Sequence, residues 1–210
     1  MPSLVSHSKR FVFVHIPKSG GTSIVEVLGP FEDRARLKWL WRRAFPRLLS
    51  PRRRSAFRLR FQLAHTSAVD IRRKVEDYDS LLSFGFVRNP WDRHVSMYEY
   101  IRQTPSHAMH ADVEVRSFEG YLRSLAERPL GRQAAWLSDE TGRLIVDRVG
   151  RFETLAEDFA HICDDLGIAF ELPHLNQSRR EEYRDYYSVR TRDLVAQIDR
   201  RDIELFGYSF

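Results

Sequence analysis

Residues 11–23 read Phe11-Val12-Phe13-Val14-His15-Ile16, followed by Pro17-Lys18-Ser19-Gly20-Gly21-Thr22-Ser23. The first part is a near-continuous apolar run, which is typical of a strand buried on both faces in a parallel sheet. Proline and two glycines interrupt the run. A helix is then predicted from Thr22 or Ser23 to the pair Gly29-Pro30, because glycine and proline end helices. The stretch therefore predicts a strand, a loop and a helix in that order.

A second unit of the same kind follows later in the chain. Residues 81–87, Leu-Leu-Ser-Phe-Gly-Phe-Val, indicate another buried strand. Asn89 is a candidate N-cap and Pro90 the first residue of the next helix, so this helix start is well marked. Arg88 is left at the carboxyl end of the predicted strand.

Shorter patterns predict the remaining elements. Alternating apolar residues at 61–65 and an apolar run at 144–146 indicate strands, and a capping box at Ser67 opens a helix to Val75. Further helices are predicted at about 117–126, from about Thr154 to Leu166, and at 191–198 and 200–205. Strands that alternate with helices favour an α/β fold with a central parallel sheet flanked by helices.

Three polar residues follow predicted strands, namely Lys18, His65 and Arg88. In an open parallel sheet, ligands bind beyond the carboxyl ends of the strands, so these residues are expected at one edge of the sheet. Their convergence from distant points of the sequence is the main pattern-based reason to predict an enzyme.

Composition sets the broad class. A length of 210 residues predicts one domain, residues 1–210, and 42% hydrophobic with 30% charged residues excludes a disordered or fibrous chain. The single cysteine, Cys163, cannot form an internal disulfide and has the apolar neighbours of a buried helix position, which indicates a reducing compartment. Ten residues precede the first apolar run, and no apolar stretch approaches the ~20 residues of a membrane helix. We therefore expect a soluble, cytoplasmic protein with no export signal and no membrane span.

The net charge of +5 is unevenly distributed. Residues 34–60 hold eleven Lys and Arg and no acid, which leaves 23 basic against 29 acidic residues elsewhere. Such a segment attracts polyanions, and nucleic acid, anionic lipid and an acidic glycan are the candidates. A solvated helical face is the alternative, because Leu37, Leu40 and Trp41 follow helical spacing. A polyanionic substrate rather than nucleic acid is the binding role that we consider for this segment, beside the alternative of a solvated face.

The loop at 17–23 suits an anion. Backbone N–H groups at a helix start face the preceding loop, and the helix dipole favours negative charge there. A positive charge, hydroxyl donors and glycines that let the backbone approach a ligand come from Lys18, Ser19, Gly20, Gly21, Thr22 and Ser23. Phosphate or sulfate is the predicted ligand, and an ordinary glycine-rich turn is the alternative.

The residue order of this loop differs from the Walker A pattern, in which Lys follows the last glycine. Lys18 precedes both glycines, which argues against a standard ATPase or kinase loop. The loop and a second element resemble the two nucleotide-binding elements of sulfotransferases, most closely those of the carbohydrate sulfotransferase group. The second element runs Phe86-Val87-Arg88-Asn89-Pro90-Trp91-Asp92-Arg93 through Ser96. The resemblance extends over most of the chain, through Gly150-Arg151-Phe152-Glu153, Leu172-Pro173-His174-Leu175-Asn176-Gln177-Ser178 and Asp202-Ile203-Glu204-Leu205-Phe206-Gly207-Tyr208.

This resemblance implies a P-loop-like three-layer form of the α/β fold and a sulfuryl donor, 3′-phosphoadenosine 5′-phosphosulfate (PAPS). By the resemblance, the loop at 17–23 binds the phosphosulfate, and Arg88 and Ser96 hold the 3′-phosphate. Ser96 lies about two turns into its helix, so both side chains could reach one phosphate. Lys18 is expected to stabilise the bridging oxygen as the sulfuryl group leaves.

Transfer also needs a base for the acceptor hydroxyl, and His65 is our candidate. Neutral imidazole accepts a proton near pH 7, and His65 combines a predicted strand end with the family pattern. The alternative is a histidine that only makes a hydrogen bond at a strand end.

His15 is expected to be structural, because it lies in the buried strand. His107 and His110 with Asp112 have a spacing compatible with a metal site, but we expect chance histidines in a loop and no metal.

The region at about 31–60 has no clear counterpart in the resemblance, so we predict a basic insertion into a single sulfotransferase domain. Such regions tend to carry acceptor specificity. The predicted reaction is sulfuryl transfer from PAPS to a hydroxyl of an acceptor, a carbohydrate by resemblance, with release of 3′-phosphoadenosine 5′-phosphate (PAP). Two alternatives are kept: a nucleotide kinase, which needs magnesium, and a non-catalytic polyanion-binding protein based on residues 34–60.

Overall fold

Four strands and eight α-helices make up the part of the chain that the structure describes. The computed structural model describes residues 3–33, 66–107, 109–110, 117–125, 131–170 and 182–210. The strands are β1 (Leu4–Ser6), β2 (Phe11–Val14), β3 (Leu82–Val87) and β4 (Arg148–Arg151). The helices are α1 (Gly21–Leu28), α2 (Ala68–Arg72), α3 (Pro90–Gln103), α4 (Phe118–Ser124), α5 (Gln133–Leu137), α6 (Leu155–Leu166), α7 (Val189–Ile198) and α8 (Arg200–Phe206). Short 3₁₀ helices cover Gly29–Phe31, Tyr78–Ser80 and Tyr183–Tyr186.

The strands form one sheet in the order β1-β2-β3-β4. β2 pairs in parallel with β3, with Phe11 opposite Leu82, and β3 pairs in parallel with β4, with Phe84 opposite Arg148. β1 is antiparallel to β2. The predicted α/β class with a central sheet flanked by helices is confirmed, with an antiparallel strand at one end of the described sheet.

The contacts divide the chain into two compact units. Unit 1 comprises Met1–Val87 and Trp136–Leu175, and unit 2 comprises Arg88–Ala135 and Asn176–Phe210. The sheet, α1, α2 and α6 belong to unit 1, whereas α3, α4, α7 and α8 belong to unit 2. The single-domain organisation over residues 1–210 stays a prediction.

Aromatic side chains fill the core of unit 1. Phe11, Phe13, Phe84 and Phe86 lie at alternate positions of β2 and β3, so they share one face of the sheet, and all are buried. They pack against apolar residues of α1 and α6, including Ile24, Leu28, Phe159 and Ile162. The predicted buried strands are therefore confirmed, and Cys163 of α6 is buried in the same cluster, as predicted.

The core of unit 2 is built on the predicted inward stripe of α3. Trp91, Val95 and Tyr98 are buried and pack with α4 and α7, through Phe118, Tyr121, Leu122 and Val195. The start of α3 is also as predicted, because the Asn89 side chain accepts the Trp91 N–H at 3.0 Å and Pro90 is the first helical residue. At the start of α2, Ser67 Oγ accepts the Asp70 N–H at 3.3 Å, although the helix ends at Arg72 and not at Val75.

The predicted strand at 144–146 is wrong. Leu144 makes only an isolated bridge to Ser138, and the strand is β4, four residues later. The Asp147 carboxylate accepts the Ser83 N–H at 2.8 Å and the Ser83 hydroxyl at 2.7 Å, which fixes the chain against β3 at the point where β4 begins. Gly150 then lies under the ring of Phe86, where an added Cβ would come within 2.4 Å of that ring. The position of this strand is therefore set by these hydrogen bonds and by this close packing, and not by an apolar pattern in its own sequence.

Two other predicted elements, the strand at 61–65 and the helix in the basic segment, lie outside the described residues. In the described ranges, no helix combines the length and the apolar character needed to cross a membrane.

Candidate active site

The Lys18 loop, residues 17–23, connects β2 to α1 in unit 1. Two of its residues have left-handed backbone conformations, Lys18 with φ 69° and Gly20 with φ 79°. Glycine takes this conformation freely, whereas a lysine does so at a cost of about 1–2 kcal/mol. Strained non-glycine residues of this kind concentrate at functional sites. The backbone of the loop is therefore held in an unusual shape at the residue that supplies its charge.

The glycines of the Lys18 loop are required by close approaches. A Cβ on Gly20 would lie 2.8 Å from Leu155 Cδ2, and a Cβ on Gly21 would lie 2.1 Å from Cδ2 of the His15 ring. Helix α1 begins at Gly21 with Gly20 as its N-cap, and no side chain caps it. The first N–H groups of a helix lack partners within it, so a compact anion such as phosphate or sulfate suits this backbone.

The side chains of the Lys18 loop differ in exposure. Lys18 and Thr22 are partly exposed, whereas Ser19 is 1% and Ser23 5% exposed. His15 directly follows β2 and is buried, as its predicted structural role requires, with its ring stacked on that of Phe13 at 6.0 Å between centroids. The imidazole therefore packs directly against the first residue of α1.

Arg88, the predicted 3′-phosphate ligand, begins unit 2 directly after β3. Its side chain is 7% exposed and its Nε donates to Asp92 Oδ2 at 2.6 Å, where the Asp92 side chain is 12% exposed. Ser96 lies one helical turn beyond Asp92, so the two share a face of α3. This contact of Asp92 with Arg88 was not predicted, although opposite charges four residues apart at a helix start were a readable signal.

A buried polar layer continues along α3. Arg93 is 1% exposed, donates from Nη1 to the Gly131 carbonyl at 2.9 Å, and has its guanidinium pKa lowered by burial. The neighbouring His94 bonds through Nε2 to Asp199 Oδ2 at 2.6 Å. These side chains are occupied in holding α3 against other parts of unit 2.

Two further buried residues of unit 2 were not predicted as site residues, Gln133 and Asp202. Gln133 bonds both backbone polar groups of Arg88, and Asp202 accepts the N–H groups of Gln133 and Ala134. Asp202 belongs to one of the stretches that carry the family resemblance, but nothing local in the sequence links it to Arg88.

Several predicted positions lie outside the described residues. They are the candidate base His65, the basic segment at 34–60, and the stretch 172–178 of the family resemblance. Lys18, Ser19, Gly20, Gly21, Thr22 and Ser23 come together in the Lys18 loop of unit 1, whereas Arg88 and Ser96 belong to unit 2.

The described residues contain no group of three or more His, Cys, Asp or Glu side chains that could hold a metal ion. His107 Nδ1 instead accepts the Met109 N–H at 3.2 Å, and the His110 ring bonds the Ile101 carbonyl at 2.9 Å. Asp112, the third residue of that spacing, lies outside the described ranges, and the absence of a metal stays a prediction.

Comparison with known proteins identifies the family. The sequence profile described as "Sulfotransferase family" matches residues 1–209. This chain belongs to the sulfotransferase family. A solved structure, that of mouse sulfotransferase SULT7A1 complexed with PAP, is similar to it with a TM-score of 0.55 and 14% sequence identity, over 98% of this chain and 91% of that one. At that identity the likeness supports the fold alone. No curated protein sequence matches the chain significantly.

Family membership confirms the predicted class of enzyme. The sulfotransferase uses PAPS as its co-substrate and transfers the sulfuryl group to a hydroxyl-bearing acceptor. Its fold is the predicted P-loop-like α/β fold, since the solved sulfotransferase has a similar structure over nearly the whole chain.

Proposed function

We propose that this sulfotransferase binds the phosphosulfate of PAPS at the Lys18 loop, holds the 3′-phosphate with Arg88 and Ser96, and sulfates a hydroxyl of a carbohydrate. The main support for this donor site is the backbone conformation of the Lys18 loop. Left-handed conformations at Lys18 and Gly20 lead directly into the uncapped start of α1. N–H groups at a helix start and a lysine charge together favour a group with several anionic oxygens.

Lys18 has the electrostatic role in this proposal. As the acceptor oxygen bonds to sulfur, the bond between sulfur and the bridging oxygen breaks, and negative charge develops on PAP. A lysine ammonium held beside that oxygen stabilises the charge as it forms. The strained backbone at Lys18 supports this role, because it fixes where the side chain starts before a ligand arrives.

Arg88 and Ser96 supply donors for the 3′-phosphate. A planar guanidinium presents five N–H donors, which suits bidentate binding of phosphate oxygens. Asp92 supports the assignment, because its carboxylate takes the Arg88 Nε–H at 2.6 Å and so orients the guanidinium plane. Ser96 lies on the same face of α3 and adds a hydroxyl donor.

His65 is the proposed base. The acceptor hydroxyl must lose its proton as its oxygen bonds to sulfur, and neutral imidazole can take that proton near pH 7. The predicted position of His65 at a strand end and the family pattern support this assignment.

The carbohydrate acceptor rests on the motif resemblance and on the basic segment. The eleven Lys and Arg of residues 34–60, with Trp39 and Trp41 among them, suit an acidic glycan through charge pairing and stacking on sugar rings.

Nucleotide selectivity tests the donor site. Thermal unfolding is measured with PAP and, separately, with ATP plus magnesium. A ligand at 100 times its Kd adds about 2.7 kcal/mol to the stability of the folded protein, so PAP is expected to raise Tm and ATP with magnesium to leave it unchanged. A rise with ATP alone would favour a kinase, and indifference to both nucleotides would contradict the donor site.

Single variants then assign the roles. Lys18→Ala is expected to lower the transfer rate more than PAP affinity, and Arg88→Ala to weaken PAP binding. His65→Ala should keep PAP binding and lose transfer by roughly 10²–10⁴-fold. The exposed residues Lys74 and Arg102 provide matched controls as Lys74→Ala and Arg102→Ala. Full transfer by the His65 variant would mean that another group is the base.

A screen with radiolabelled PAPS identifies the acceptor class. Acidic glycans, neutral sugars and small phenols are offered to the wild type and to a variant with Arg52, Arg53 and Arg54 changed to alanine. Transfer to acidic glycans with a raised KM in the triple variant is expected. Transfer to phenols alone would contradict the carbohydrate proposal and leave the donor site intact.

A further inference from the structure

Gln133 makes an unusual pair of contacts in unit 2. Its carboxamide Oε1 accepts the Arg88 N–H at 2.8 Å, and its Nε2 donates to the Arg88 carbonyl at 2.7 Å. One side-chain amide thus bonds both backbone polar groups of a single residue, as a neighbouring strand would. Gln133 is 0% exposed, so water does not compete for these bonds.

Asp202 of α8 fixes Gln133 in turn. Its Oδ2 accepts the Gln133 N–H at 2.6 Å and its Oδ1 accepts the Ala134 N–H at 2.9 Å. The Asp202 carboxyl is also 0% exposed, and hydrogen bonds to a buried carboxylate are stronger than those between neutral groups. The first two N–H groups of α5 are therefore held by one carboxylate, which fixes the backbone from which the Gln133 side chain extends.

The contacts converge on Arg88. Gln133 holds its backbone and Asp92 holds its Nε, so the residue is restrained at both ends. A binding group restrained in this way loses less conformational entropy when a ligand arrives, and its geometry is set in advance. Arg88 lies beyond the last residue of β3, so its backbone N–H and carbonyl take their partner from a side chain 45 residues away.

We propose that Gln133, held by Asp202, is a positioning residue that fixes Arg88 for recognition of the donor's 3′-phosphate. The inference rests on the proposed role of Arg88 in binding that phosphate. Gln133 itself does not touch the nucleotide. It acts through the backbone of Arg88, so its loss should reduce selectivity for the 3′-phosphate and spare the rest of the nucleotide site.

The test compares two nucleotides that differ only in that group. Kd is measured by calorimetry for PAP and for adenosine 5′-phosphate, and the ratio of the two reports the 3′-phosphate contribution. Gln133→Met keeps the length of the side chain and removes both bonds. It is expected to weaken PAP binding on the order of tenfold and to leave adenosine 5′-phosphate binding unchanged.

Matched variants keep the experiment decisive. Gln103→Met changes an exposed glutamine of α3 and should leave both Kd values unchanged. Gln133→Glu keeps the acceptor for the Arg88 N–H but turns a carboxylate oxygen towards the Arg88 carbonyl, so the ratio should fall as in Gln133→Met, and it gives a second test if the methionine variant fails to fold. Asp202→Asn should shift the ratio in the same direction.

The Arg88→Ala variant distinguishes failure of the proposed 3′-phosphate site at Arg88 from failure of the positioning role of Gln133. If Arg88→Ala leaves the ratio unchanged, the 3′-phosphate does not bind at Arg88 and the proposed function of that residue fails. If Arg88→Ala collapses the ratio but Gln133→Met and Gln133→Glu do not, the positioning role is overturned. Equal weakening of both nucleotides by the Gln133 variants, with a lowered Tm, would indicate a merely structural residue and would also overturn it.

Discussion

Replacing Gly21 by alanine should destabilise the protein through one contact. The added Cβ would lie 2.1 Å from Cδ2 and 2.2 Å from Nε2 of the buried His15 ring. The ring cannot easily move away, because it stacks on Phe13 and is 6% exposed. The new methyl group must therefore displace either the start of α1 or the imidazole.

The magnitude follows from two opposed terms. Alanine is favoured over glycine in a helix by at most about 1 kcal/mol. Overpacking a well-filled site costs typically about 1–3 kcal/mol, and an approach more than an ångström inside ordinary van der Waals contact places this variant at the upper end. A net loss of about 2 kcal/mol is expected, which lowers Tm by about 4–8 °C in a protein of this size.

Urea unfolding followed by circular dichroism measures the loss through the midpoint and the slope. Gly29→Ala is the matched control, because its Cβ would meet nothing within 4 Å and its φ is −55°. It should show no loss of stability.

A double-mutant cycle isolates the clash. In a His15→Ala background the imidazole is gone, so Gly21→Ala should cost little, with a coupling energy on the order of 2 kcal/mol. If Gly21→Ala is as stable as Gly29→Ala, or if its cost persists unchanged when His15 is absent, the predicted clash with the His15 ring does not exist.

Three further outcomes are expected. The His7 ring bonds the Asp33 carboxylate at 2.6 Å and the Asp77 carboxylate at 3.0 Å, and the Asp33 bond above all raises the pKa of His7. Protonated His7 therefore stabilises the fold below its unfolded pKa of about 6.5, and this stabilisation is lost as the pH rises through the folded pKa. The urea midpoint should consequently fall less between pH 5.5 and 8.5 in His7→Asn than in the wild type. An equal fall in both proteins would contradict this. Burial raises the pKa of the Cys163 thiol to about 12, so Ellman's reagent should react with it only after unfolding, and rapid reaction of one thiol in the native protein would disprove its burial. Asn89→Ala removes the N-cap bond to Trp91 and should cost about 0.5–2 kcal/mol in urea unfolding, whereas unchanged stability would show that the cap contributes nothing.

The elements around the candidate site could be predicted because their signals are local. The apolar run at 11–16 indicates a buried strand within a few residues. The sequence Arg88-Asn89-Pro90 marks a helix cap and a helix start over an equally short distance. Lys18 and Arg88 follow their strands as predicted, since a buried strand and an N-cap leave few alternatives for the residue between them.

The remaining features depend on partners far along the chain. β4 has the sequence Arg-Val-Gly-Arg and forms because Asp147 bonds Ser83 and Gly150 admits the Phe86 ring. Gln133 and Asp202 are separated by 69 residues, and no periodicity reports a hydrogen bond of that span. In a buried polar network, donors and acceptors that are distant in sequence must meet in the folded protein. A local sequence pattern contains no information about such pairs.

Under the proposed role of Lys18 in sulfuryl transfer, its left-handed backbone makes stability and activity favour different residues at this position. Glycine would adopt φ 69° without the cost of about 1–2 kcal/mol that a side chain incurs, so Lys18→Gly should give a more stable but less active protein. Laboratory evolution for heat resistance alone would accept that change, whereas selection on sulfuryl transfer would reject it. An engineer who raises the thermostability of this enzyme should therefore hold position 18 fixed and seek the gain in other parts of the chain.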